Sequence, residues 1–460
     1  MSSHSSLISK TDLALFTDLY ELTMMQAYFE EGFEDRAVFD LFVRRLPCRR
    51  SFLLAAGLED VLSYLENLRF DDEAIAYLDS LSTFSSSFLD DLRGFRFTGD
   101  VYAVAEGTPV FADQPILEVE APIAQAQLVE TFVMNQIHFQ TLMASKAARV
   151  VQAARGRSVV DFGTRRMHGT DAALKAARAF YIAGVDATSN VAAGRRLGIP
   201  VSGTMAHSYV QAHEDEYESF KAFCRVHPHT ILLVDTYDTL EGVRHVVRLA
   251  EELGEDFDVR AIRLDSGDLG ELARRSRSIL DQAGLEKVEI FASSSLDEEA
   301  ISKLLDGQAP IDGFGVGTHM GVSEDAPYLD IAYKLVSYAG KGRIKLSTSK
   351  KHLPSRKQIF RIEKEGRSRY DVVALRDEAL EGRPLLEPVM KSGRRLEAGA
   401  RSLEDSRRRA RREIDRLPQR LRSADAPEEP YEIRTSQALE TAQEALEEEL
   451  KEKQKEHLPT

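Results

Sequence analysis

Short apolar runs alternate with longer segments rich in Ala, Leu, Glu and Arg between residues 158 and 316. Continuous apolar runs are typical of buried strands, and the segments between them suit crossover helices. The alternation therefore predicts a parallel sheet, and seven successive units favour a barrel over an open sheet. The predicted strands are residues 158–162, 184–188, 199–203, 231–235, 259–264, 288–293 and 312–316.

The segments before and after this region have a different pattern of apolar and polar residues. Residues 97–121 hold short strand-like runs broken by Gly-Asp, Glu-Gly, Thr-Pro and Gln-Pro turns, which predict a small antiparallel unit. Residues 334–375 predict a β meander that joins this unit. We therefore predict three segments along the chain. They are N-terminal helices with the small β unit (1–135), a barrel (136–335), and a C-terminal meander with helices that pack with the N-terminal part (336–460).

Polar side chains follow every predicted strand, where the chain leaves the sheet. The carboxyl ends of parallel strands meet at one edge, and reactive groups lie in the loops there. We therefore expect the functional residues in seven loops. These loops are residues 161–166, 189–190, 202–207, 235–238, 263–268, 293–295 and 315–319.

Composition narrows the class of protein. The 460 residues exceed one ordinary domain, and 43% hydrophobic with 29% charged residues predict a soluble globular protein. A net charge of −15 argues against nucleic acid or an anionic membrane as a partner. The only cysteines are Cys48 and Cys224, so a disulfide framework and a thiolate zinc site are both disfavoured. The sequence has neither a signal peptide pattern nor a membrane-length apolar run, and the predicted location is the cytoplasm.

Two of the loops carry groups that suit anions. Arg165 and Arg166 follow a Gly turn in DFGTRRMHG, and the Arg fork binds two oxygens of a carboxylate or phosphate at once. The alternative is a pair of surface ion pairs of little consequence. Thr204 and His207 lie on a small-residue turn in SGTMAHS, although a lone His is commonly structural.

Two later loops point to a phosphorylated sugar. In IRLDSGD, Asp265 beside Arg263 can hold ribose hydroxyls or Mg²⁺ on a pyrophosphate. In GFGVGTHM, Gly315 and Gly317 allow close backbone approach, and Thr318 can donate its hydroxyl to a phosphate. Neither a dinucleotide fingerprint nor a Walker loop is present.

These stretches resemble, in the same order, the motifs of the nicotinate phosphoribosyltransferases. The resemblance spans about residues 11–375 through TDLYELTMMQAY, DFGTRR, SGTMAHS, LVDTYD, IRLDSGDL, SSSLDEEAI and GFGVGT. It implies an α/β fold: an irregular (β/α) barrel of the type II phosphoribosyltransferase kind, plus an accessory α+β domain built from the N- and C-terminal parts. The chain departs from the family pattern at KKHLPSRKQ, where a Thr and a Gly would be expected around His352 and Ser355.

The resemblance also implies a reaction and its partners. Nicotinate and phosphoribosyl pyrophosphate would give nicotinate mononucleotide and pyrophosphate, in NAD biosynthesis. The reaction would be coupled to ATP hydrolysis, would need Mg²⁺, and would pass through a phosphohistidine at His207. The enzyme would be a homodimer with shared active sites, and the protein ligands of the metal stay unassigned.

By the same resemblance, Tyr20 of a neighbouring subunit and Phe162 would sandwich the pyridine ring. Arg263 would pair with the nicotinate carboxylate, and Asp265 would lie near the ribose and the metal. The remaining predicted substrate residues are Arg165 and Thr204 around nicotinate, Ser189 at the ring substituent, and Gly317 and Thr318 at the 5-phosphate.

Ser189 bears on whether the substrate is the acid nicotinate or the amide nicotinamide. The related nicotinamide enzyme carries an Asp there, which can accept hydrogen bonds from an amide but repels a carboxylate. The neutral Ser189 therefore favours nicotinate. Two other functional classes stay open. One is a phosphate-binding barrel aldolase, but such an enzyme needs a Schiff-base lysine, and no predicted strand clearly shows one. The other is a non-catalytic binding protein that retains the pocket.

Overall fold

A computed structural model describes residues 12–346, 352–423 and 429–456. These residues divide into two compact units. The barrel unit consists of Met143–Pro327 with residues 422–423, and the accessory unit consists of residues 12–142, Tyr328–Leu421 and 429–456. Of the departing stretch KKHLPSRKQ, Lys350 and Lys351 lie outside the described residues.

The barrel unit contains the predicted parallel sheet. Its six strands run in the spatial order Ala187–Thr188, Ser158–Asp161, Gly313–Val316, Glu289–Ala292, Ala261–Leu264 and Ile231–Leu233, and every pairing is parallel. The sheet forms a half-barrel, as the α/β fold class predicts. Its helices are Thr170–Ala183, Val191–Leu197, His207–Gln211, Glu216–Val226, Thr239–Leu253, Leu269–Gln282, Glu298–Asp306 and Thr318–Gly321, with 3-10 turns at Thr164–Arg166 and Gly254–Asp256.

The strand predicted at residues 199–203 is reduced to one parallel bridge, between Thr188 and Val201. Pro200 lies in the middle of this run and has no N–H to donate to a ladder. Its carbonyl still accepts from the Thr188 N–H at 3.0 Å, and the Ser202 N–H donates to the Thr188 carbonyl at 3.1 Å. The chain thus enters the loop of His207 beside the sheet's edge.

The accessory unit is built on a seven-stranded sheet. In spatial order its strands are Lys341–Gly342, Ile331–Tyr338, Arg36–Val43, Pro115–Pro122, Asp100–Val104, Leu386–Lys391 and Arg394–Arg395. A second sheet contains, in spatial order, the strands Arg383–Pro384, Lys357–Lys364, Arg367–Leu375 and Glu432–Thr435. A third, two-stranded sheet pairs Leu53–Leu54 with Pro109–Val110. The helices are Leu19–Glu31, Leu58–Asn67, Asp72–Ser80, Ser86–Arg93, Ile123–Leu128, Leu403–Arg416 and Gln437–Glu456, with 3-10 turns at Asp12–Leu15, Glu397–Gly399 and Gln419–Leu421. Helix Glu130–Ala153 begins in the accessory unit, and its residues from Met143 onward belong to the barrel unit.

Only the first part of the C-terminal meander joins the sheet that contains the early strands. Ile331–Tyr338 pairs with Arg36–Val43, while Lys357–Lys364 and Arg367–Leu375 form a hairpin in the second sheet. Arg36–Val43 in turn pairs with Pro115–Pro122 of the predicted 97–121 unit, and Leu386–Lys391 pairs with Asp100–Val104 of the same unit. Residues 347–351 of the predicted meander lie outside the described residues. In the part of the chain that is described, no helix is both long and apolar enough to cross a membrane.

Candidate active site

His207 lies at the carboxyl edge of the half-barrel, next to the loops that follow two of its strands. It is the first residue of helix His207–Gln211, and its side chain is 38% exposed. The Nδ1 atom lies 3.1 Å from the Thr236 hydroxyl, within hydrogen-bond distance, and Nε2 lies 3.7 Å from Oδ2 of Asp265. One ring nitrogen is therefore held by the protein, while the other faces a carboxylate at an accessible position.

Asp265 is held by its neighbours on both sides. Its carboxylate accepts from the hydroxyl of Ser293, and its backbone N–H donates to Oδ2 of Asp235 at 2.8 Å. The same Asp235 oxygen accepts from the Ser266 hydroxyl at 2.7 Å. Ser293 thus holds the carboxylate of Asp265, while Asp235 holds the backbone of the same loop.

In the motifs DTYD (residues 235–238) and DSGD (residues 265–268), the second Asp has a different role from the first. Asp238 accepts from the N–H groups of Leu240 and Glu241, and Asp268 accepts from that of Glu271. Both are N-caps, which satisfy the free N–H groups at the start of a helix. The motifs DTYD and DSGD therefore each supply one helix cap and one carboxylate directed to the site.

Arg263 provides a partly buried cation at the site. Its guanidinium donates to the Thr204 hydroxyl, and its Cζ lies 5.9 Å from the ring centroid of Phe162. Burial lowers the pKa of Arg263, the charges of Asp265 and Asp235 act in the opposite direction, and Arg165 lowers the pKa further. Among the described residues, the buried Nε has no hydrogen-bond partner. Arg263 thus retains capacity for an anionic ligand beside an aromatic face.

Phe162 and Ser189 are placed by Asp161, a fully buried carboxylate. Asp161 accepts from the Gly163 N–H at 2.7 Å and from the Thr188 hydroxyl at 2.8 Å, while its carbonyl accepts from the Ser189 N–H at 2.8 Å. Burial raises the pKa of Asp161, and the two bonds to its carboxylate lower it. This residue couples the loop of the aromatic ring to the loop of Ser189.

The glycine loop lies against Phe162. The Phe162 N–H donates to the Val316 carbonyl at 2.8 Å, and a Cβ at Gly317 would lie 3.5 Å from the Phe162 carbonyl oxygen. Thr318 begins the short helix Thr318–Gly321 and is exposed. The structure therefore brings Gly317 to the site and places Thr318 directly after it.

Arg165 and Tyr20 lie outside this network of direct contacts. Arg165 is exposed in the 3-10 turn Thr164–Arg166 and acts on Arg263 through its charge. Tyr20 belongs to the accessory unit, on the first turn of helix Leu19–Glu31, with 45% of its surface exposed. Its neighbour Glu21 is buried and accepts from Thr17 and Thr131, and burial raises the pKa of Glu21 to about 7. The partner-subunit role of Tyr20 stays a prediction.

The sequence analysis did not assign the residues that hold the site together. Thr236 and Ser293 each contact a predicted site residue through a hydroxyl oxygen, and Asp161 contacts Ser189 through its backbone carbonyl. All three lie in or next to the predicted loops, so the position at a strand end was the available signal. Residue type alone could not separate them from the helix caps, because both kinds are short polar side chains.

Comparison with protein families assigns most of this chain. The family model described as the nicotinate phosphoribosyltransferase N-terminal domain matches residues 15–138. The model described as the nicotinate phosphoribosyltransferase family matches residues 157–364.

Curated relatives extend the match over nearly the whole chain. It is 56% identical over 426 residues to nicotinate phosphoribosyltransferase pncB2 of Mycobacterium tuberculosis (strain H37Rv), covering 93% of this chain and 92% of the relative. It is 43% identical over 376 residues to the nicotinate phosphoribosyltransferase of Bacillus subtilis (strain 168), covering 80% of this chain and 77% of the relative.

Solved structures agree in fold. The crystal structure of human nicotinic acid phosphoribosyltransferase matches with a TM-score of 0.82 at 28% identity, covering 94% of this chain and 99% of the human one. The crystal structure of a nicotinate-nucleotide pyrophosphorylase from Pyrococcus furiosus matches with a TM-score of 0.74 at 25% identity, covering 90% of this chain and 99% of the Pyrococcus one. With the family models and the curated relatives, these matches show that the chain belongs to the nicotinate phosphoribosyltransferase family.

Proposed function

We propose that the protein joins nicotinate to phosphoribosyl pyrophosphate in NAD biosynthesis, giving nicotinate mononucleotide and pyrophosphate. The observation that carries this proposal is the convergence of Arg263, Thr204, Phe162 and Asp265 on one edge of the half-barrel. A flat aromatic acid needs an aromatic face and a cation together, and Phe162 with Arg263 offers both.

In the proposed reaction, the ring nitrogen of nicotinate forms a bond to C1 of the ribose. The bond from C1 to the pyrophosphate oxygen breaks, and pyrophosphate leaves with the electron pair. The transition state carries positive charge on the sugar, so positioning of the two reactants and nearby carboxylates supply the catalysis. Asp265, fixed by Ser293 and Asp235, is the carboxylate that we assign beside the ribose, and Gly317 with Thr318 would hold the 5-phosphate.

Mg²⁺ is part of this proposal. Among the described residues, no three His, Cys, Asp or Glu side chains form a metal-binding group. Mg²⁺ commonly keeps several waters and binds substrate phosphates with one or two carboxylates nearby, so the carboxylate-rich edge suits an ion that arrives with pyrophosphate. Asp265 would face its water shell. When bound, the ion would neutralise charge on the leaving group.

ATP would act through His207. Since Nδ1 lies against Thr236, Nε2 is the atom available to accept the γ-phosphoryl group, and water would later release it as phosphate. A phosphate on Nε2 would bring a dianion toward Asp265, which is now 3.7 Å away. Coupling requires that the two phosphorylation states bind the substrates differently. We also propose a homodimer in which Tyr20 reaches the neighbouring site.

The test is nucleotide formation from phosphoribosyl pyrophosphate, with nicotinate and nicotinamide compared, each with and without ATP–Mg²⁺. We expect the wild type to prefer nicotinate and to be stimulated by ATP. His207→Ala should retain binding of nicotinate but lose the stimulation, because no phosphoryl acceptor remains. Stimulation that persists in His207→Ala would contradict the phosphohistidine, and no product with either base would contradict the whole proposal.

Substrate choice gives a second prediction. Ser189→Asp should lower kcat/KM for nicotinate by roughly tenfold to a hundredfold, because a second carboxylate near the ring substituent repels the acid. Activity with nicotinamide should fall less. Ser278→Asp, which adds the same charge on an exposed helix, serves as the control. Full nicotinate activity in Ser189→Asp would remove the specificity argument.

A further inference from the structure

Two carboxyl groups at the start of helix Leu19–Glu31 bond a neighbouring helix. Asp18 is the N-cap residue, but its side chain makes no cap hydrogen bond in the described helix, and Glu21 follows three residues later. An N-cap side chain and a Glu at this spacing commonly bond the free N–H groups at the start of their own helix. Here both side chains instead bond Thr131, on the first turn of helix Glu130–Ala153. The two carboxyl groups thus join the starts of two helices.

Glu21 is held on both of its oxygens, although it is fully buried. Its Oε1 accepts from the Thr131 N–H at 2.9 Å and lies 2.7 Å from the Thr131 hydroxyl. Its Oε2 is hydrogen-bonded to the hydroxyl of Thr17, and the Thr17 oxygen lies 3.3 Å from the Leu128 carbonyl. Glu21 therefore fixes the first turn of its helix to the chain around Leu128 and Thr131.

The hydrogen bonds around Glu21 suit a neutral side chain. The Thr131 hydroxyl has one hydrogen, yet it lies within bonding distance of both Asp18 and Glu21, at 2.8 and 2.7 Å. The Thr17 hydroxyl likewise faces two oxygens, from Glu21 and from the Leu128 carbonyl. A hydrogen on Glu21 relieves this shortage of donors, and burial raises the pKa of Glu21 to about 7. An uncharged side chain of the same shape should therefore fit this position.

Tyr20 lies on the turn that Glu21 holds. It precedes Glu21 in the helix, 45% of its surface is exposed, and its hydroxyl lies 3.5 Å from Oε1 of Glu21. The ends of helices open more readily than their centres, so an exposed ring on a first turn keeps one position only if that turn is anchored. The contacts of Glu21 with Thr131 and Thr17 provide such an anchor.

We propose that Glu21 is a positioning residue, which holds the ring of Tyr20 in place for nicotinate through its bonds to Thr131 and Thr17. This inference rests on the proposed function and adds a residue to it. It applies whichever subunit's site Tyr20 serves, because the anchoring contacts all lie within one chain. A displaced ring stacks poorly on a flat substrate, so loss of Glu21 should act mainly on the binding of nicotinate.

The experiment measures kcat and the KM of each substrate for the wild type, Glu21→Ala, Glu21→Gln and Glu21→Asp. We expect Glu21→Ala to raise KM for nicotinate roughly tenfold and to leave KM for phosphoribosyl pyrophosphate within about twofold, because small displacements of a binding group are costly. Glu21→Gln should recover most of the loss, since its carbonyl can accept from Thr131 and its amide can donate to Thr17. Glu21→Asp is one methylene shorter and cannot span both partners, so it should resemble Glu21→Ala.

A double-mutant cycle with Tyr20→Ala separates positioning from general stability. Tyr20→Ala alone should raise KM for nicotinate, because the ring is gone. Adding Glu21→Ala should then change this KM by less than about twofold, since no ring is left to position. Urea denaturation identifies the variants that are folded under assay conditions, and Glu21→Asp replaces Glu21→Ala in the cycle if the latter does not fold. Glu31→Ala, at the exposed end of the same helix, is the matched control and should behave as the wild type.

Three results would overturn the inference. They are losses that add up in the double variant, a folded Glu21→Ala with the wild-type KM for nicotinate, and a Glu21→Gln that is as impaired as Glu21→Ala. A Tyr20→Ala variant with the wild-type KM would overturn it as well, while the reaction itself stands. An inactive wild type would instead remove the proposed function, so the two failures are distinct.

Discussion

Arg263→Lys is expected to lower kcat/KM for nicotinate about a hundredfold, mainly through KM. The guanidinium is held by the Thr204 hydroxyl beside the Phe162 ring, with a buried Nε that has no partner among the described residues. Losing a buried, hydrogen-bonded charge pair costs about 3 kcal/mol, which corresponds to that factor. Lys keeps the charge, but a point charge cannot bind both carboxylate oxygens in the plane of the ring.

The comparison with nicotinamide sharpens this prediction. The amide has no negative charge to pair with Arg263, so the loss with nicotinamide should be several-fold smaller. Arg260→Lys is the matched control: it lies just before the same strand, pairs with Glu289 at 3.1 Å, and is about 40% exposed. A KM for nicotinate that is unchanged in Arg263→Lys would show that the carboxylate binds elsewhere.

The sequence predicted the barrel strands because each is a continuous apolar run between polar loops. Six of the seven runs became strands of one parallel sheet. Residues 199–203 did not, because Pro200 lacks the N–H that a ladder requires. In the accessory unit, the pairing of Ile331–Tyr338 with Arg36–Val43 joins strands almost 300 residues apart. Local patterns carry no information on such distant partners, so the order of the strands in this sheet could not be predicted.

The site shows a similar division. Thr204, His207, Arg263 and Asp265 were predicted from their motifs, and the structure brings them together. The residues that support them could not be predicted, because whether a short polar side chain contacts the site or caps a helix depends on the direction in which it points. Asp235 and Asp238 are three positions apart in one motif, yet one accepts from the Asp265 loop and the other caps a helix. Only the three-dimensional arrangement separates the two roles.

Gly315→Ala should cost both stability and activity, because Gly315 makes room for the Phe162 ring. A Cβ at this position would lie 2.4 Å from Cε2 and 2.5 Å from Cδ2 of Phe162, so the ring must move. Overpacking of this kind costs about 2 kcal/mol in the free energy of unfolding. Displacement of the ring from Arg263 should also lower kcat/KM for nicotinate by roughly tenfold to a hundredfold.

Gly313→Ala separates the two effects, because it creates the same clash in the same strand away from the proposed substrate. A Cβ at Gly313 would lie 2.4 Å from the ring of Phe291, which belongs to the core cluster of the sheet. Urea denaturation should show similar losses of stability for both variants, whereas only Gly315→Ala should lose most of its activity. In a Phe162→Ala background the clash with the ring is absent and the tightest remaining contact is the Ser293 Cβ at 3.3 Å, so Gly315→Ala should then cost much less stability. If the two glycine variants lose activity equally, Phe162 is a core residue rather than the surface on which nicotinate stacks.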